Sequence, residues 1–484
     1  MKPDKFSDIL GSINSKFIVR AMKKRKNKQM AIKIISLCAC LVLVFSLCAH
    51  YGLFNNKDAI DDIIINDPPG FAPTIDTTKC LAKATYPERI EYPADGYFRD
   101  YEEWYQEQNE IRSISTDASG NSEYVKKLLK SALKGQNENN VLSPANIYFA
   151  LCMLAQTTDG SSRDQILDVV GKQNADTLCE NANKLWQKMY KNDGNTTCVL
   201  ANSLWLSNDY DYVSDTVNKL KDKLFSSVYS GDFADKQYSK ALENWINEQT
   251  SNLLKDSVSG FQFPPENVFS LASTIYFKSG WLSEFSVNFT EEKTFHGQKN
   301  DTQVEFLNGF QWGYVYSGEN FKAVTRALSD GNVIFILPDS DSSVSQVLMQ
   351  DDTYSLISGK YDSLSKTEYR INLSVPKFDV SAKLDLCKVL KNLGVTDVLN
   401  PETSDFTPIN TQTDIFLSQA EHAARFKIDE KGVEGAAYTV MNNTGSSAPE
   451  QLPELIDFVV DRPFIFAVTG LDGIPLFVGT INNL

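Results

Sequence analysis

An α+β fold is predicted for this chain, because helical periodicities concentrate in its first half, strand-like runs in its second, and the two do not alternate as βαβ units. The composition agrees. With 42% hydrophobic and 23% charged residues, usage is ordinary for a globular protein and allows a large core. A length of 484 residues sets a soft expectation of roughly three domains, a rule that overcounts large single-core folds.

The N-terminus stands apart. Residues 1–33 carry ten Lys or Arg against Asp4 and Asp8, a local charge of +8 within a net −15, which leaves −23 for the rest. So acidic a body repels phosphate backbones, and no basic stripe interleaved with aromatics follows, so no nucleic-acid binding is expected. Residues 34–49 are free of charge and the apolar run continues to Phe54, 21 positions in all. That length crosses a bilayer. The basic flank then places 1–33 in the cytoplasm as a tail, 34–54 as a transmembrane signal anchor and the remainder outside the cell membrane. A secretory signal with a long basic leader is the alternative, giving a protein secreted after cleavage, although no small-x-small site follows the run. Cys38 and Cys40 loosely match a lipid-attachment site but lie early in the run. A buried core helix is disfavoured by the Lys/Arg block before it.

Residues 55–115 are acidic, contain Pro68, Pro69, Pro73, Pro87 and Pro93, and lack sustained periodicity, so a spacer is expected. Its aromatic cluster, Tyr97, Phe98, Tyr101, Trp104 and Tyr105, is expected to dock on the following domain, with a partner-binding patch as the alternative. From residue 116 the main domain begins. Val125, Leu128, Leu129 and Leu133 share a helical face; helical patterns follow at 147–154, after Ser143-Pro144, and at 166–170. Further helices are predicted at 181–191, 213–225, 238–254 and 384–393, the last ended by Gly394. Branched and aromatic runs predict strands at 268–277, 333–337, 369–375, 415–417, 456–460, 463–469 and 476–481.

Catalytic and metal signatures are absent. Of eight cysteines, three lie in the apolar run, and the odd five remaining, widely spaced, form neither a disulfide framework nor a CxxC site; Cys152 and Cys387 sit in helical patterns and are expected in the core. Outside the run only His296 and His422 could serve as base or ligand. No HExxH, GxSxG, GxGxxG or P-loop occurs, and no enzyme activity, metal or cofactor is expected.

One constellation is informative. His422 precedes Asp429, Glu430, Lys431 and Gly432; a small-residue stretch and a long loop follow, then Arg462, Pro463 and Phe464, and a closing strand through Phe477, Val478 and Gly479. Upstream come NVLSPAN at 140–146, TIYFKSGW at 274–281, PKF at 376–378 and LKNLG at 390–394. In this order the strings resemble the serpin family, from about Ser122 to the end of the chain. The resemblance implies a fold of about nine helices on three β-sheets with an exposed reactive loop. It also implies a suicide-type inhibitor of extracellular serine proteases, in which the cleaved loop enters a β-sheet and traps the acyl-enzyme. A non-inhibitory serpin-fold binder or chaperone is the alternative.

By that resemblance the hinge is Glu430, Lys431, Gly432, Val433, Glu434, Gly435, Ala436 and Ala437, while Ser143 and His422 match the shutter and Trp281 the sheet top. Ser273 and Asn146 depart from the usual shutter residues. Side chains alternate across a strand. If Val433 faces inward, so do Gly435, Ala437, Thr439 and Met441, a mostly small, uncharged set, and the bulk of Tyr438 falls on the outer face. The reactive bond is expected among Thr444, Gly445, Ser446, Ser447 and Ala448, in a loop longer than usual; counting back from Arg462 favours a bond near Leu452 instead. Small residues there suit an elastase-like or subtilisin-like enzyme, and the lack of Arg or Lys from Val433 to Asp461 disfavours a trypsin-like one. The expected partners are a target serine protease, in a covalent acyl complex, and the membrane through the N-terminal helix, with the protein a monomer.

Overall fold

A computed structural model describes residues 78–93, 98–133, 137–411, 415–433 and 452–484. The expected tail and anchor, Glu434 to Ala437 of the hinge, and the reactive bond region Thr444 to Ala448 lie outside the described residues. Among the described residues no helix is long and apolar enough to cross a membrane. All of them belong to one unit, Pro73–Leu484.

The elements run in the order β1 (Lys79–Ala82), α1 (Phe98–Ser113), α2 (Asn121–Leu133), β2 (Asn140–Leu142), α3 (Pro144–Thr157), α4 (Gly160–Val170), α5 (Ala175–Met189), β3 (Lys191–Asn192), β4 (Thr196–Ser207), α6 (Ser214–Leu224), β5 (Ser226–Gly231), α7 (Lys236–Gln249), α8 (Lys255–Val258) and β6 (Phe269–Gly280). The second half continues with β7 (Glu291–His296), β8 (Asp301–Ser317), β9 (Phe321–Ala327), β10 (Asn332–Pro338), α9 (Val344–Val347), α10 (Asp351–Ile357), β11 (Ser365–Pro376), β12 (Phe378–Asp385), α11 (Leu386–Asn392), β13 (Gln419–Ile428), β14 (Gly432–Val433), β15 (Leu455–Val459), β16 (Phe464–Val468) and β17 (Phe477–Ile481).

The α+β class holds, with eleven α-helices among the described residues. Their strands join into two sheets rather than three. One has the order β1-β5-β4-β6-β14-β13-β12, with β3 on β4; the other has β15-β11-β8-β9-β10-β16-β17-β2, with β7 on β8. Two sheets suffice because β8, 17 residues long, pairs with β7 at its start, β11 along most of its length and β9 at its end.

Helix α3 shows why the core sits where it does. Ser143 caps it, Pro144 occupies its first position, and all fourteen residues are buried, so it is apolar on every side and becomes the centre of the helical layer. The inner faces of the sheets meet around Phe378, Phe426, Phe464, Phe466 and Phe477, with Phe426 and Phe466 stacked at 4.6 Å. A second apolar cluster, including Trp205, Tyr238, Trp245 and Phe263, holds α7 against the outer face of the first sheet.

Three local expectations change. The described part of the expected spacer packs on the domain: β1 extends the first sheet by pairing with β5, and Trp104 on α1 donates to Asp193 at 3.1 Å while meeting Tyr92 edge-on. Prolines at 87 and 93 hid the pairing of β1, because they interrupt any periodic pattern without preventing docking, whereas Trp104 docks as expected for the aromatic cluster. Tyr105 nevertheless remains exposed. Residues 415–417 are not a strand; Leu417 N–H bonds the Val398 carbonyl and Ser418 N–H the Phe269 carbonyl, tying them down individually before β13 begins. The strand β4 lies in the half read as helical, and its buried polar residues Asn202, Ser203 and Ser207 weakened its apolar run.

Candidate functional site

The central feature is a seam between β6 and β13. At the lower end the two strands pair directly in parallel, Gln419 to Ala423 against Ser270 to Thr274. At the upper end β14 lies between them instead, Val433 opposite both Ile428 and Ser279 and Gly432 opposite Gly280. Strand β13 thus reverses through a turn and returns antiparallel to both neighbours. Asp429 makes the turn: its side chain accepts from the backbone N–H groups of Lys431 at 2.8 Å and Gly432 at 3.2 Å, and its own N–H reaches the Gly432 carbonyl at 3.0 Å. Gly is required at 432, since a Cβ there would lie 2.8 Å from the Gly280 Cα. Val433 is 1% exposed and belongs to the main core, so it faces inward.

Trp281 closes the top. Fully buried, it donates from Nε1 to the Asp429 carbonyl at 2.8 Å and from its backbone N–H to the Lys431 carbonyl at 2.9 Å. Glu430 is held from three sides: its carboxylate accepts from Thr290 Oγ1 at 2.8 Å and pairs with Lys377 Nζ at 3.3 Å, and its carbonyl accepts from Phe285 N–H. Partial burial would raise the Glu430 carboxyl, but these hydrogen bonds outweigh it and hold the group below its usual range. Lys377 also pairs with Glu305 at 2.9 Å; burial lowers its ammonium, and the two carboxylates more than reverse that.

At the lower end lies a closed polar network. Ser143 N–H donates to His422 Nε2 at 3.0 Å, leaving Nδ1 as the protonated nitrogen facing Ser273 Oγ at 3.4 Å. Asn146 donates to Ser273 Oγ at 2.8 Å and accepts from Asn202 at 3.3 Å, which ties α3 to β13, β6 and β4. Burial of the imidazole, only partly countered by a hydrogen bond involving Ser273, pushes its pKa down to about 3, so His422 is neutral at ordinary pH.

The structure therefore gathers Glu430 to Val433 with Trp281 at one end of the seam and Ser143 with His422 at the other. Lys377 lay in the PKF string, but nothing in the sequence connects it with Glu430, and Thr290 and Asn202 carried no signal at all. Cys152 is in the core as expected, whereas Cys387 is only partly buried. His296 is exposed beside Asp301, and no His, Cys, Asp and Glu cluster suited to a metal occurs among the described residues.

Comparison with known proteins identifies the family. Residues 119–484 match the family model described as Serpin (serine protease inhibitor). Alpha-1-antiproteinase of Rattus norvegicus is 28% identical, covering 76% of this chain and 89% of that protein. Neuroserpin of Homo sapiens is 27% identical over 72% of this chain and 87% of its own. Among solved structures, the thermophilic serpin tengpin in its native state aligns with a TM-score of 0.67 at 22% identity, covering 77% of this chain and 96% of that one. Human thyroxine-binding globulin with its bound hormone aligns at 0.63, also at 22% identity, covering 78% and 99%.

Proposed function

The chain belongs to the serpin family, and from that premise we propose that it is a suicide-type inhibitor of extracellular serine proteases. The protease serine attacks a carbonyl in the loop, the peptide C–N bond breaks, and the new amino end departs, leaving an ester to the enzyme. Insertion of the freed hinge into the seam then traps that ester before water attacks it.

The observation that carries this reading is β14. Two residues of the hinge already occupy a strand position between β6 and β13, in the antiparallel direction a longer insertion would extend. Val433 faces inward, and in the strand that insertion would form, period two would send Gly435 and Ala437 inward as well and Glu434, Ala436 and Tyr438 outward. The catalytic groups belong to the protease; this chain supplies bait, hinge and seam.

An elastase-like or subtilisin-like target, cutting among Thr444 to Ala448, is part of the proposal, as is attachment to the cell membrane by residues 34–54. Incubation with neutrophil elastase or subtilisin tests the central claim. An SDS-stable complex is expected, and clean cleavage with full protease activity would refute it. Tyr438, bulky for an inserting strand, is the observation that favours the second reading, a non-inhibitory binder; under it, loop cleavage leaves the melting temperature unchanged, whereas insertion raises it sharply.

A further inference from the structure

Strand β8 is built inside out along its middle. Gly309, Gln311 and Gly313 point inward, while Phe310, Trp312 and Tyr314 point to solvent and are 52%, 48% and 43% exposed. At Gly309 the inward side has no room for a ring, since a Cβ there would lie 2.9 Å from the Phe285 ring, and at 311 the inward side is taken by Gln311 bonded to Arg326, whose guanidinium stacks on Phe285 at 4.6 Å.

Registers extend this face across three strands. Trp312 lies opposite Arg370 on β11, and Arg370 opposite Leu455 on β15; Phe310, Asn372 and Asp457 form the next row, and Tyr314 with Glu368 the third. Half-exposed aromatics of roughly 150–250 Å² each leave roughly 300 Å² of ring surface in contact with water, as much as the largest patch on many monomers. Tryptophan, tyrosine and arginine at the centre with carboxylate and amide groups around them is the composition of an interface hot spot.

We propose that this face docks the body of the serine endopeptidase whose active site takes the loop, an enzyme with an apolar rim beside its cleft. The inference rests on the inhibitory reading above. Continuity selects this occupant: the loop re-enters the domain at β15, where Leu452 and Leu455 are themselves exposed, and Arg370 Nε bonds the Pro453 carbonyl at 2.9 Å. From Ser446 to Leu455 the chain spans at most about 30 Å, comparable to a small domain's diameter, so the patch is within reach of an enzyme on that bond.

The test compares the full-length protein with its F310T/W312T/Y314T variant, in which threonine keeps β preference, using elastase and subtilisin. Two quantities are read: formation of the SDS-stable complex, and binding of each protease with its active-site serine changed to alanine. The variant is expected to keep its melting temperature and cleavage bond, and to bind the inactive protease and associate with the active one about tenfold or more weakly. Equal binding by variant and wild type, absence of binding by both, or a dimer that the variant dissolves would overturn the docking assignment. Failure of the wild type to trap active protease, with binding still lost in the variant, would sink inhibition alone and leave the docking face standing.

Discussion

The backbone N–H of Ser143 donates to Nε2 of His422 across 3.0 Å, joining the cap of the central helix α3 to the strand that borders the seam. Strand β13, on one side of the seam, is thus held to α3 by a neutral, fully buried imidazole.

Because burial pushes the pKa of His422 down to about 3, below the ordinary 6.5 of an imidazole, the unfolded chain binds the extra proton first as pH falls. Stability should therefore rise with pH between about 3 and 6.5, this group contributing up to about 1.4 kcal/mol per pH unit. Glu430, with its carboxyl held low, acts in the same direction but below the ordinary 4.5 of a glutamate, so the interval above that belongs to the histidine. Urea unfolding of wild type and His422→Gln at several pH values checks this: the variant should lose part of the slope there, and identical slopes would contradict the assignment.

Ser143→Ala removes the side-chain acceptor for Asn146 N–H at the start of α3 but leaves the backbone bond to His422. The expected loss is about 1 kcal/mol, seen in thermal unfolding, with the acid dependence unchanged. Altered acid dependence would mean that the cap and the network are one unit.

Lys377→Met breaks the ion pair with Glu430 in the turn that leads into β14, where the Glu430 side chain is only 14% exposed. A stability loss of about 1 kcal/mol is expected, smaller in molar salt because part of the pair is open to water. Denaturant midpoints at two salt concentrations measure it.

Gly432→Ala places a methyl group against Gly280 in a strand position with no free volume. Strand β14 should be expelled and Val433 with it, at about 1–3 kcal/mol. Faster hydrogen exchange at Val433 with unchanged exchange in β12 is the expected signature, and unaltered exchange would show that the strand accommodates the methyl group.

The α+β class was legible in the sequence from its local periodicities, whereas Ser143, His422, Trp281 and Glu430 to Val433 were singled out only by resemblance to a family, and the turn at Asp429 was not anticipated. Strand β1, within the expected spacer, went unread for the complementary reason. Strand β1 is four residues long and acquires its identity only by pairing with β5, so no periodicity within it could announce a strand.

What the sequence determined by itself is that one inward residue fixes the facing of its neighbours within a strand, because alternation is a property of a single strand. Only the tertiary structure decided that Val433 is that residue, that Lys377 and Thr290 hold Glu430, and that Phe310, Trp312 and Tyr314 face water. These are contacts between segments from about fifty to well over a hundred residues apart, set by strand order and register, which no local pattern encodes.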